Sequence, residues 1–370
     1  MKIRQVVIIG LGLIGGSIAK ALKERLNVPK IIGIDHDRKT LDQALSENII
    51  CSAFTDISSQ LYDSDIVFIC TPVAKTLEWL KKVIPVVKPD CIITDVGSTK
   101  SDLINEIQQM DSDFRFVGGH PMTGSEKSGF AASQSHLFEN AYYILTPCSK
   151  SNANDIALLR YIVERFGSIP VELSPELHDK ITGTISHVPH IISAALVNLV
   201  KETDTEEHYM QRLAAGGFKD ITRISSSNPE LWHNICMTNK HLILEILEQY
   251  IEILNHFKNH LKSENEEEIY SFFHAAKVFR DSFTSRITGL IPGTYELLLD
   301  IIDKPGIIGE VATLLGANSI NIKNININNS REFEGGVLLI SLPDKESRDK
   351  AYQILVKHGY RVIQRGVIGV

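Results

Sequence analysis

Near the start of the chain an apolar segment runs directly into a glycine-rich turn, and this junction limits the possible folds more than any other feature. The segment reads QVVII at residues 5–9, and the turn reads GLGLIG at residues 10–15. Glycines at this spacing let the backbone approach a pyrophosphate, which then lies on the N-terminus of the following helix. The strand before the turn and the helix after it make the pattern more specific than the glycines alone. We therefore predict a dinucleotide-binding sheet.

An acidic residue closes the second predicted strand, which covers residues 30–34. The carboxylate of Asp35 can accept hydrogen bonds from both ribose hydroxyls of NAD, and its charge repels the additional phosphate of NADP. Arg38 lies close enough along the chain to weaken this preference for NAD. A further strand at residues 65–70 leads into a Thr-Pro turn that we expect to border the nicotinamide. The expected cofactor contacts are Gly10, Gly12, Leu13, Ile14, Gly15, Asp35, Thr71 and Pro72.

Short apolar runs alternate with helical stretches over the first part of the chain. Further strands are predicted at residues 91–95, 115–117 and 142–146, with helices at 15–25, 75–87 and 101–109. This alternation is typical of an α/β fold with a Rossmann-like, doubly wound parallel sheet.

After residue 170 the pattern changes to helices only, which continue to about residue 283. Ser174-Pro175 is a typical helix start, and Asn228-Pro229 opens a long helix. That helix carries an apolar stripe wider than one packing partner needs. We therefore expect an all-helical dimerisation domain that forms a homodimer.

The C-terminal part is predicted to fold in the order βαββαβ, which is typical of a ferredoxin-like unit. The strands cover residues 295–302, 320–327, 337–341 and 361–364, and the helices cover 307–315 and 347–358. Residues 289–293 are a predicted linker. The expected domains are residues 1–172 for the cofactor, 173–287 for substrate and dimerisation, and 294–370 for regulation.

Composition excludes several classes of function. The net charge of -7 over 370 residues, with no basic clustering, argues against a nucleic-acid partner. Glycines interrupt the apolar residues 6–19, which therefore predict no membrane span or signal peptide. The five cysteines are scattered and form no C-x-x-C, so we expect free thiols, a cytoplasmic protein and no metal site.

Two polar segments follow neighbouring strands at the cofactor edge of the sheet. They read DVGSTK at residues 95–100 and GGHPMTGSEKSG at residues 118–129. Hydride transfer from an alcohol carbon requires removal of the hydroxyl proton, and a histidine suits this role because its pKa lies near neutrality. We place His120 in a glycine-rich loop at a strand end and predict that it is catalytic.

Together with SHVPH at 186–190 and GGFKDITR at 216–223, these segments resemble the prephenate dehydrogenase family from residue 1 to about residue 285. The resemblance implies NAD-dependent oxidation of the 4-hydroxyl of prephenate. The ring carboxylate leaves as CO₂, and the product is 4-hydroxyphenylpyruvate, which is committed to tyrosine. A small-molecule substrate of this kind is an anion with two carboxylates.

The resemblance also implies roles for individual residues. His120 corresponds to the residue that binds the substrate hydroxyl, Ser98 to one that contacts that hydroxyl and the nicotinamide, and Arg223 to one that grips a carboxylate. Asp179 is a candidate for orienting a histidine. The residues implied to line or shape the substrate pocket are Ser125, Glu126, His190, Gly216 and Trp232.

The C-terminal unit resembles an ACT domain, a module that commonly binds amino acids. By pathway logic the implied effector is tyrosine as a feedback inhibitor, although a purely structural or dimerising role stays open. Glycine at the start of a helix would let a carboxylate reach free N–H groups. The expected effector contacts are Asp303, Gly306, Asn321 and Ile322.

Three other functions stay open at this point. An arogenate dehydrogenase performs the same chemistry on a substrate with an amino group in place of the keto oxygen. A β-hydroxyacid dehydrogenase would use a catalytic lysine in the helical domain, and the Gly-His-Pro segment argues against it. A non-catalytic regulator that responds to NAD and amino acids is disfavoured because both His120 and Arg223 are present.

Overall fold

The computed structural model describes residues 3–124, 127–285, 295–302, 304–328 and 335–364. The chain forms two compact units, Met1–Glu252 and Ile253–Val370, and this division falls within a long helix. The predicted linker at 289–293 lies outside the described residues. The predicted domain boundaries therefore stay a prediction.

The first unit contains one eight-stranded sheet in the order β3-β2-β1-β4-β5-β6-β7-β8. Its strands β1 to β6 run parallel, β7 is antiparallel to β6, and β8 is parallel to β7. The order reverses between β1 and β4, and ligands bind at the carboxyl ends of strands flanking such a point. The strands are β1 Gln5–Ile9, β2 Lys30–Ile34, β3 Ser52–Phe54, β4 Ile66–Ile69, β5 Ile92–Asp95, β6 Arg115–Pro121, β7 Tyr142–Pro147 and β8 Ile169–Glu172.

Helices cover both faces of this sheet, which explains why its central strands are apolar without alternation. In β1, Val6 and Ile8 belong to one hydrophobic core, whereas Val7 and Ile9 belong to the other. All five cysteines of the chain lie in this unit and are free thiols. The helices are α1 Leu13–Leu26, α2 Arg38–Ser46, α3 Val73–Val83, α4 Ser101–Gln108 and α5 Ala153–Arg165.

Strand β6 is longer than predicted, and this corrects the placement of His120. His120 lies within β6 and pairs with Ile144 of β7, so it is not in a loop. The prediction ended the strand at Val117, before the glycines, because glycine normally weakens strands. Here a Cβ at Gly118 would lie 2.1 Å from Oγ1 of Thr146 and 3.1 Å from Cδ of Lys100, so close packing requires the glycine.

The part after β8 is helical, as predicted. Ser174 caps its first helix by accepting a hydrogen bond from the N–H of Leu177 at 3.2 Å. A π-helical turn, Gly183–His187, joins the first two helices. The helices are α6 Pro175–Thr182, α7 Val188–Thr203, α8 Tyr209–Leu213, α9 Gly216–Thr222, α10 Pro229–Thr238, α11 Lys240–Lys262 and α12 Glu266–Ser285.

The single long helix predicted after Asn228 is instead two helices, α10 and α11, separated at Asn239. Asn239 is 4% exposed. Its Nδ2 donates to the carbonyl of Asp179 at 3.0 Å and lies 3.0 Å from Nδ1 of His187. These polar contacts to α6 and to the π-helical turn bury the Asn239 side chain at the break, which apolar periodicity cannot reveal.

One helical run, Pro175–Thr203, has the length and composition of a membrane span. Its side chains include His178 and Asp179, each 0% exposed. Asp179 accepts hydrogen bonds from the backbone at the start of α4, so this run packs against the sheet layer of the same unit.

The C-terminal sheet lies in the second unit and has the order β10-β11-β9-β12, with antiparallel pairing throughout. This is the ferredoxin-like arrangement that was predicted. The second strand begins at Asn324 rather than at residue 320, because Ile320 is buried in the core before the strand starts. The elements are β9 Tyr295–Ile302, α13 Ile307–Ala317, β10 Asn324–Asn328, β11 Gly335–Leu342, α14 Lys345–Lys357 and β12 Arg361–Gln364.

The buried imidazole of His187 makes the stability of the protein dependent on pH. Burial lowers the pKa of His187 from 6.5 to about 4. Below pH 6.5 the unfolded chain binds a proton that the folded chain does not, so stability falls as the pH drops toward 4. The loss from this group is about 3 kcal/mol. Urea unfolding of a His187→Asn variant at pH 7 and pH 4.5 should show a smaller difference than in the wild type.

The exposed His136 supplies the matched control, since a His136→Asn variant should keep the wild-type pH dependence. Equal pH dependence in the wild type and the His187→Asn variant would contradict the assignment.

Candidate functional site

The glycine turn after β1 has the backbone geometry of a phosphate cradle. Gly10 has φ of +92°, which favours glycine. A Cβ at Gly15 would lie 1.9 Å from the carbonyl oxygen of Gly10, so α1 can begin this close to the turn only with glycine. A Cβ at Gly12 would meet no atom within 4 Å. The turn thus presents open space beside the N-terminus of α1.

Asp35 stabilises the glycine turn in addition to being the expected acceptor for the ribose hydroxyls. Its side chain is 10% exposed. Oδ2 accepts a hydrogen bond from the N–H of Leu11 at 2.7 Å, and Oδ1 accepts one from the N–H of Asp37 at 2.9 Å. Each oxygen keeps a further lone pair for a ribose hydroxyl. Asp35 therefore fixes the conformation of the glycine turn. Arg38 forms a salt bridge with Asp42, with Nε 3.2 Å from Oδ1.

Thr71 and Pro72 lie between β4 and α3, on the other side of the switch point. Oγ1 of Thr71 is buried and makes no hydrogen bond within the described part of the chain. A buried hydroxyl of this kind is normally paired, so its position suits a polar group of a bound ligand. Together with Leu13 and Ile14, which are half-buried at the start of α1, these residues fit a dinucleotide.

The segment between β5 and α4, which carries Ser98, is held by a buried ion pair. Nζ of Lys100 lies 2.7 Å from Oδ2 of Asp95, and both side chains are 0% exposed. The same Nζ donates to the carbonyls of Gly97 and Thr99 at 2.7 and 3.2 Å. These contacts tie the ammonium group of Lys100 to the backbone of the segment at two points and to Asp95 at its start. Ser98 is half-buried within it.

The ion pair also ties this segment to the strand that carries His120. Oδ1 of Asp95 accepts a hydrogen bond from the N–H of Gly119 at 3.1 Å. On the other side, Oγ1 of Thr99 donates to Oγ1 of Thr238 in α10 at 2.9 Å. The Ser98 segment is therefore fixed to both the sheet and the helical layer.

His120 faces a second histidine that the sequence did not single out. Nδ1 of His120 lies 2.8 Å from Nε2 of His178, and the rings meet edge to face with centroids 5.0 Å apart. Nδ1 of His178 in turn lies 2.7 Å from Oδ1 of Asp179. The carboxylate of Asp179 also accepts the N–H groups of Lys100 and Ser101, each at 2.8 Å. Asp179 does orient a histidine, but that histidine is His178.

His120, His178 and Asp179 form a hydrogen-bonded row, and their protonation states follow from burial and hydrogen bonding. Burial, and then the neighbouring His178, Lys100 and His187, keep the pKa of His120 well below its ordinary value of 6.5. Burial also lowers the pKa of His178, although Asp179 opposes this shift. Burial alone would raise the pKa of Asp179, but the hydrogen bonds from His178 and Ser101 bring it below its ordinary value. At neutral pH the row is two neutral imidazoles and one carboxylate.

A second group of predicted residues lies along α7. The ring of His190 stacks on Trp232 with centroids 3.6 Å apart, and Nδ1 of His190 lies 2.9 Å from the carbonyl of Ser186. The segment Arg223–Ser226 packs against α7. Burial and the charge of Arg223 both act to lower the pKa of His190. His190, Trp232 and Arg223 are therefore close together.

His187 connects the two groups. Its ring centroid lies 6.1 Å from that of Trp232, and its proximity contributes to lowering the pKa of His120. Gly216 begins α9 on the exposed surface, and a Cβ there would meet nothing within 4 Å. Ser125 and Glu126 lie outside the described residues.

Of the predicted effector residues, Gly306 precedes α13, and Asn321 and Ile322 precede β10. Gly306 has φ of +92° and precedes the first turn of α13. Asn321 is exposed and Ile322 is half-buried, just before β10. Asp303 lies outside the described residues. The effector site stays a prediction.

Comparison with known proteins gives matches along almost the whole chain. A family profile described as the prephenate dehydrogenase nucleotide-binding domain matches residues 18–171, and one described as the prephenate dehydrogenase dimerization domain matches residues 174–288. The prephenate dehydrogenase of Bacillus subtilis (strain 168) is 39% identical over 352 residues, which is 95% of each chain. That of Lactococcus lactis subsp. cremoris is 33% identical over 96% of this chain and 98% of its own.

Solved structures of related enzymes match this chain as well. Prephenate dehydrogenase from Aquifex aeolicus, in complex with hydroxyphenyl propionate and NAD⁺, is 34% identical with a TM-score of 0.72, covering 76% of this chain and 99% of its own. Arogenate dehydrogenase from Synechocystis is 31% identical with a TM-score of 0.67, covering 75% and 99%. With relatives this similar over most of its length, the chain belongs to the prephenate dehydrogenase family.

Proposed function

We propose that this protein is an NAD-dependent prephenate dehydrogenase that converts prephenate to 4-hydroxyphenylpyruvate and CO₂. The observation that carries the proposal is the partly buried, neutral imidazole of His120, which lies on β6 next to the strand that leads into the Ser98 segment. Strands β1, β4, β5 and β6 are parallel neighbours, so His120 and the glycine turn lie at the same edge of the sheet. Membership of the family supports the substrate.

The reaction requires the protein to orient the substrate and to supply a proton acceptor. Bound NAD supplies the hydride acceptor. The free ring nitrogen of His120 accepts the proton of the C4 hydroxyl as the hydride leaves C4. The bond between the ring and its carboxylate then breaks, its electron pair completes the aromatic ring, CO₂ leaves, and the proton returns to the phenol oxygen. Aromatisation makes the overall reaction strongly favourable.

The cofactor contacts that we propose are the residues of the glycine turn, Asp35, Thr71 and Pro72. The open space at Gly12, the positive φ of Gly10 and the buried hydroxyl of Thr71 support them. NAD⁺ in the related Aquifex structure supports the choice of cofactor.

The substrate contacts that we propose divide by chemistry. Ser98 and His120 act at the hydroxyl, whereas Arg223 binds a carboxylate because a guanidinium can donate two parallel hydrogen bonds. The stacked pair of His190 and Trp232 next to Arg223 supports a pocket wall at that point. We retain Ser125, Glu126 and Gly216 as proposed pocket residues.

We also propose a homodimer in the cytoplasm, with the helical domain as the interface. The match to a dimerization domain supports this assembly. Within α11, Leu244, Ile251 and Leu254 follow one side of the helix and are 48%, 53% and 45% exposed, and Ile253 is 51% exposed. A contiguous exposed apolar stripe of this kind is typical of a surface that a partner covers.

The central experiment tests His120 in an assay of prephenate and arogenate, each with NAD and with NADP, followed by NADH or NADPH formation. We expect the prephenate and NAD pair to react fastest. A His120→Asn variant should lose about 10²-fold or more in kcat, because it removes the proton acceptor. A His233→Asn variant, at an exposed histidine of α10, should keep wild-type turnover. Near-normal turnover of His120→Asn would remove His120 from its role.

The preference for NAD is tested best with Asp35→Asn. Alanine would also remove the acceptor for the N–H of Leu11 and loosen the glycine turn, whereas asparagine keeps an oxygen there and removes the charge. We expect the ratio of kcat/KM for NAD over NADP to fall by about 10-fold, roughly the effect of 1.4 kcal/mol. An Asp63→Asn variant removes an exposed charge elsewhere and should leave the ratio unchanged. An unchanged ratio in Asp35→Asn would show that another residue selects the cofactor.

We further propose that the C-terminal unit is an ACT domain that binds tyrosine as a feedback inhibitor at Asp303, Gly306, Asn321 and Ile322. The positive φ of Gly306 beside the N-terminus of α13 supports a site for a carboxylate.

Calorimetry with the intact protein should detect tyrosine binding, and Asn321→Ala should weaken it by about 10-fold through loss of one hydrogen bond. Asn324→Ala, three residues further on in β10, is the matched control. Absence of tyrosine binding to the wild type would end the proposal.

A further inference from the structure

Hydrogen bonds link His120, His178 and Asp179 in a row, and the carboxylate at its end limits where the protons of the two histidines can lie. We infer that His178 and Asp179 are positioning residues that fix the proton of His120 on Nδ1 and leave Nε2 as the acceptor facing the substrate. This inference rests on the proposed function for its catalytic meaning, but not for the proton position itself.

The proton positions follow from Asp179, because an ionised carboxylate can only accept hydrogen bonds. Its oxygens receive the N–H groups of Lys100 and Ser101, each at 2.8 Å, and face Nδ1 of His178 at 2.7 Å. Nδ1 of His178 must therefore carry a proton. Asp179 is 0% exposed, so water cannot replace any of these donors.

The next step follows from the chemistry of neutral imidazole, which has one donor nitrogen and one acceptor nitrogen. With its proton on Nδ1, His178 has a bare Nε2. That atom lies 2.8 Å from Nδ1 of His120, and a contact this short between two nitrogens needs one proton between them. The proton belongs to His120. Its Nε2 is then left with a lone pair.

The surroundings of the two imidazoles, chiefly burial, keep both of them neutral, as the inferred tautomers require. Lys100 and His187 act on His120, while Lys100, Asp95 and Asp179 act on His178. With burial, their net effect keeps the pKa of both histidines below the ordinary value, so both imidazoles are neutral at pH 7.

The proton position decides whether His120 can act as a base. In the opposite tautomer, Nε2 would present an N–H to the substrate hydroxyl and could not take its proton. In the inferred tautomer, Nε2 takes the hydroxyl proton, and the resulting imidazolium keeps its Nδ1–H on His178. His178 passes the stabilising effect of the Asp179 carboxylate to that charge, as a carboxylate does behind a catalytic histidine elsewhere.

The same carboxylate also positions the other residue proposed to contact the hydroxyl. By accepting the N–H groups of Lys100 and Ser101, Asp179 holds the end of the segment that carries Ser98. The buried carboxylate of Asp179 therefore fixes both the tautomer of His120 and the position of Ser98.

The direct test reads the proton position without substrate. Nitrogen-15 NMR of the full-length protein, labelled at histidine and assigned with His120→Asn, distinguishes a protonated Nδ1 from a protonated Nε2. We expect a protonated Nδ1 at His120 in the wild type and a shift toward protonated Nε2 in His178→Leu. A protonated Nε2 at His120 in the wild type would overturn the inference, whatever the enzyme turns over.

The kinetic test separates positioning from folding. His178→Leu should lower kcat for prephenate by about 10²-fold or more while changing the KM for NAD by less than about 3-fold. His178→Gln restores an oxygen acceptor near the place of Nε2 and should recover most of the loss, to within about 10-fold of the wild type. The control is Lys180→Gln, an exposed change two residues further along α6, which should leave kcat unchanged.

Each outcome has one meaning. Equal kcat in His178→Leu and the wild type would overturn the inference, as would equal losses in the Leu and Gln variants with both proteins folded. If His178→Leu does not fold, the wild-type spectrum and His178→Gln still decide. A wild type without prephenate activity but with Nδ1 of His120 protonated would remove the proposed function and leave the proton position standing.

Discussion

The arrangement of the site depends on one carboxylate that is withdrawn from water. Asp179 lies at the N-terminus of α4, where the helix dipole and two free N–H groups favour a negative charge. An isolated buried carboxylate would cost several kcal/mol, and three donors offset that cost here. Since Asp179 belongs to α6 and α4 belongs to the sheet layer, this charge joins the two layers at the point where the chemistry is proposed.

A second buried charge explains the composition of β6. The side chain of Lys100 passes beside the strand to reach Asp95, and Gly118 leaves the space for it. The Gly-Gly-His-Pro sequence therefore has two parts with different origins. Its glycines serve the packing of the ion pair, and its histidine faces the row that ends at Asp179.

Much of the fold followed from local pattern because the strongest signals were local. The QVVII strand and the GLGLIG turn required no knowledge of distant residues, and the capped start at Ser174 was equally plain. The placement of His120 was wrong because the glycines that suggest a loop are explained by Lys100 and Thr146, which lie elsewhere in the sequence. The break at Asn239 was missed for the same kind of reason, since its partners are Asp179 and His187.

The candidate site was predictable in its members but not in its connections. Motifs named His120, Ser98 and Arg223, yet His178 carries no motif and looks like an ordinary polar residue in the first turn of a helix. The sequence contained one indication of this role, the adjacent polar pair His178-Asp179 soon after the helix cap at Ser174. Polar side chains at such a helix start lie where they can contact another buried helix end. Only the three-dimensional contact at 2.8 Å distinguishes this pair from a surface pair.

The π-helical turn at Gly183–His187 has a consequence for how this part of the chain is compared with others. In a regular helix, His187 would point about 180° away from His178, nine positions earlier. One additional residue in the turn rotates everything after it by about 100° and returns His187 and His190 to the side of His178. A helical wheel drawn straight through this segment would therefore place His187 and His190 on the wrong side of the helix relative to His178. A sequence alignment that removed the extra residue would make the same error.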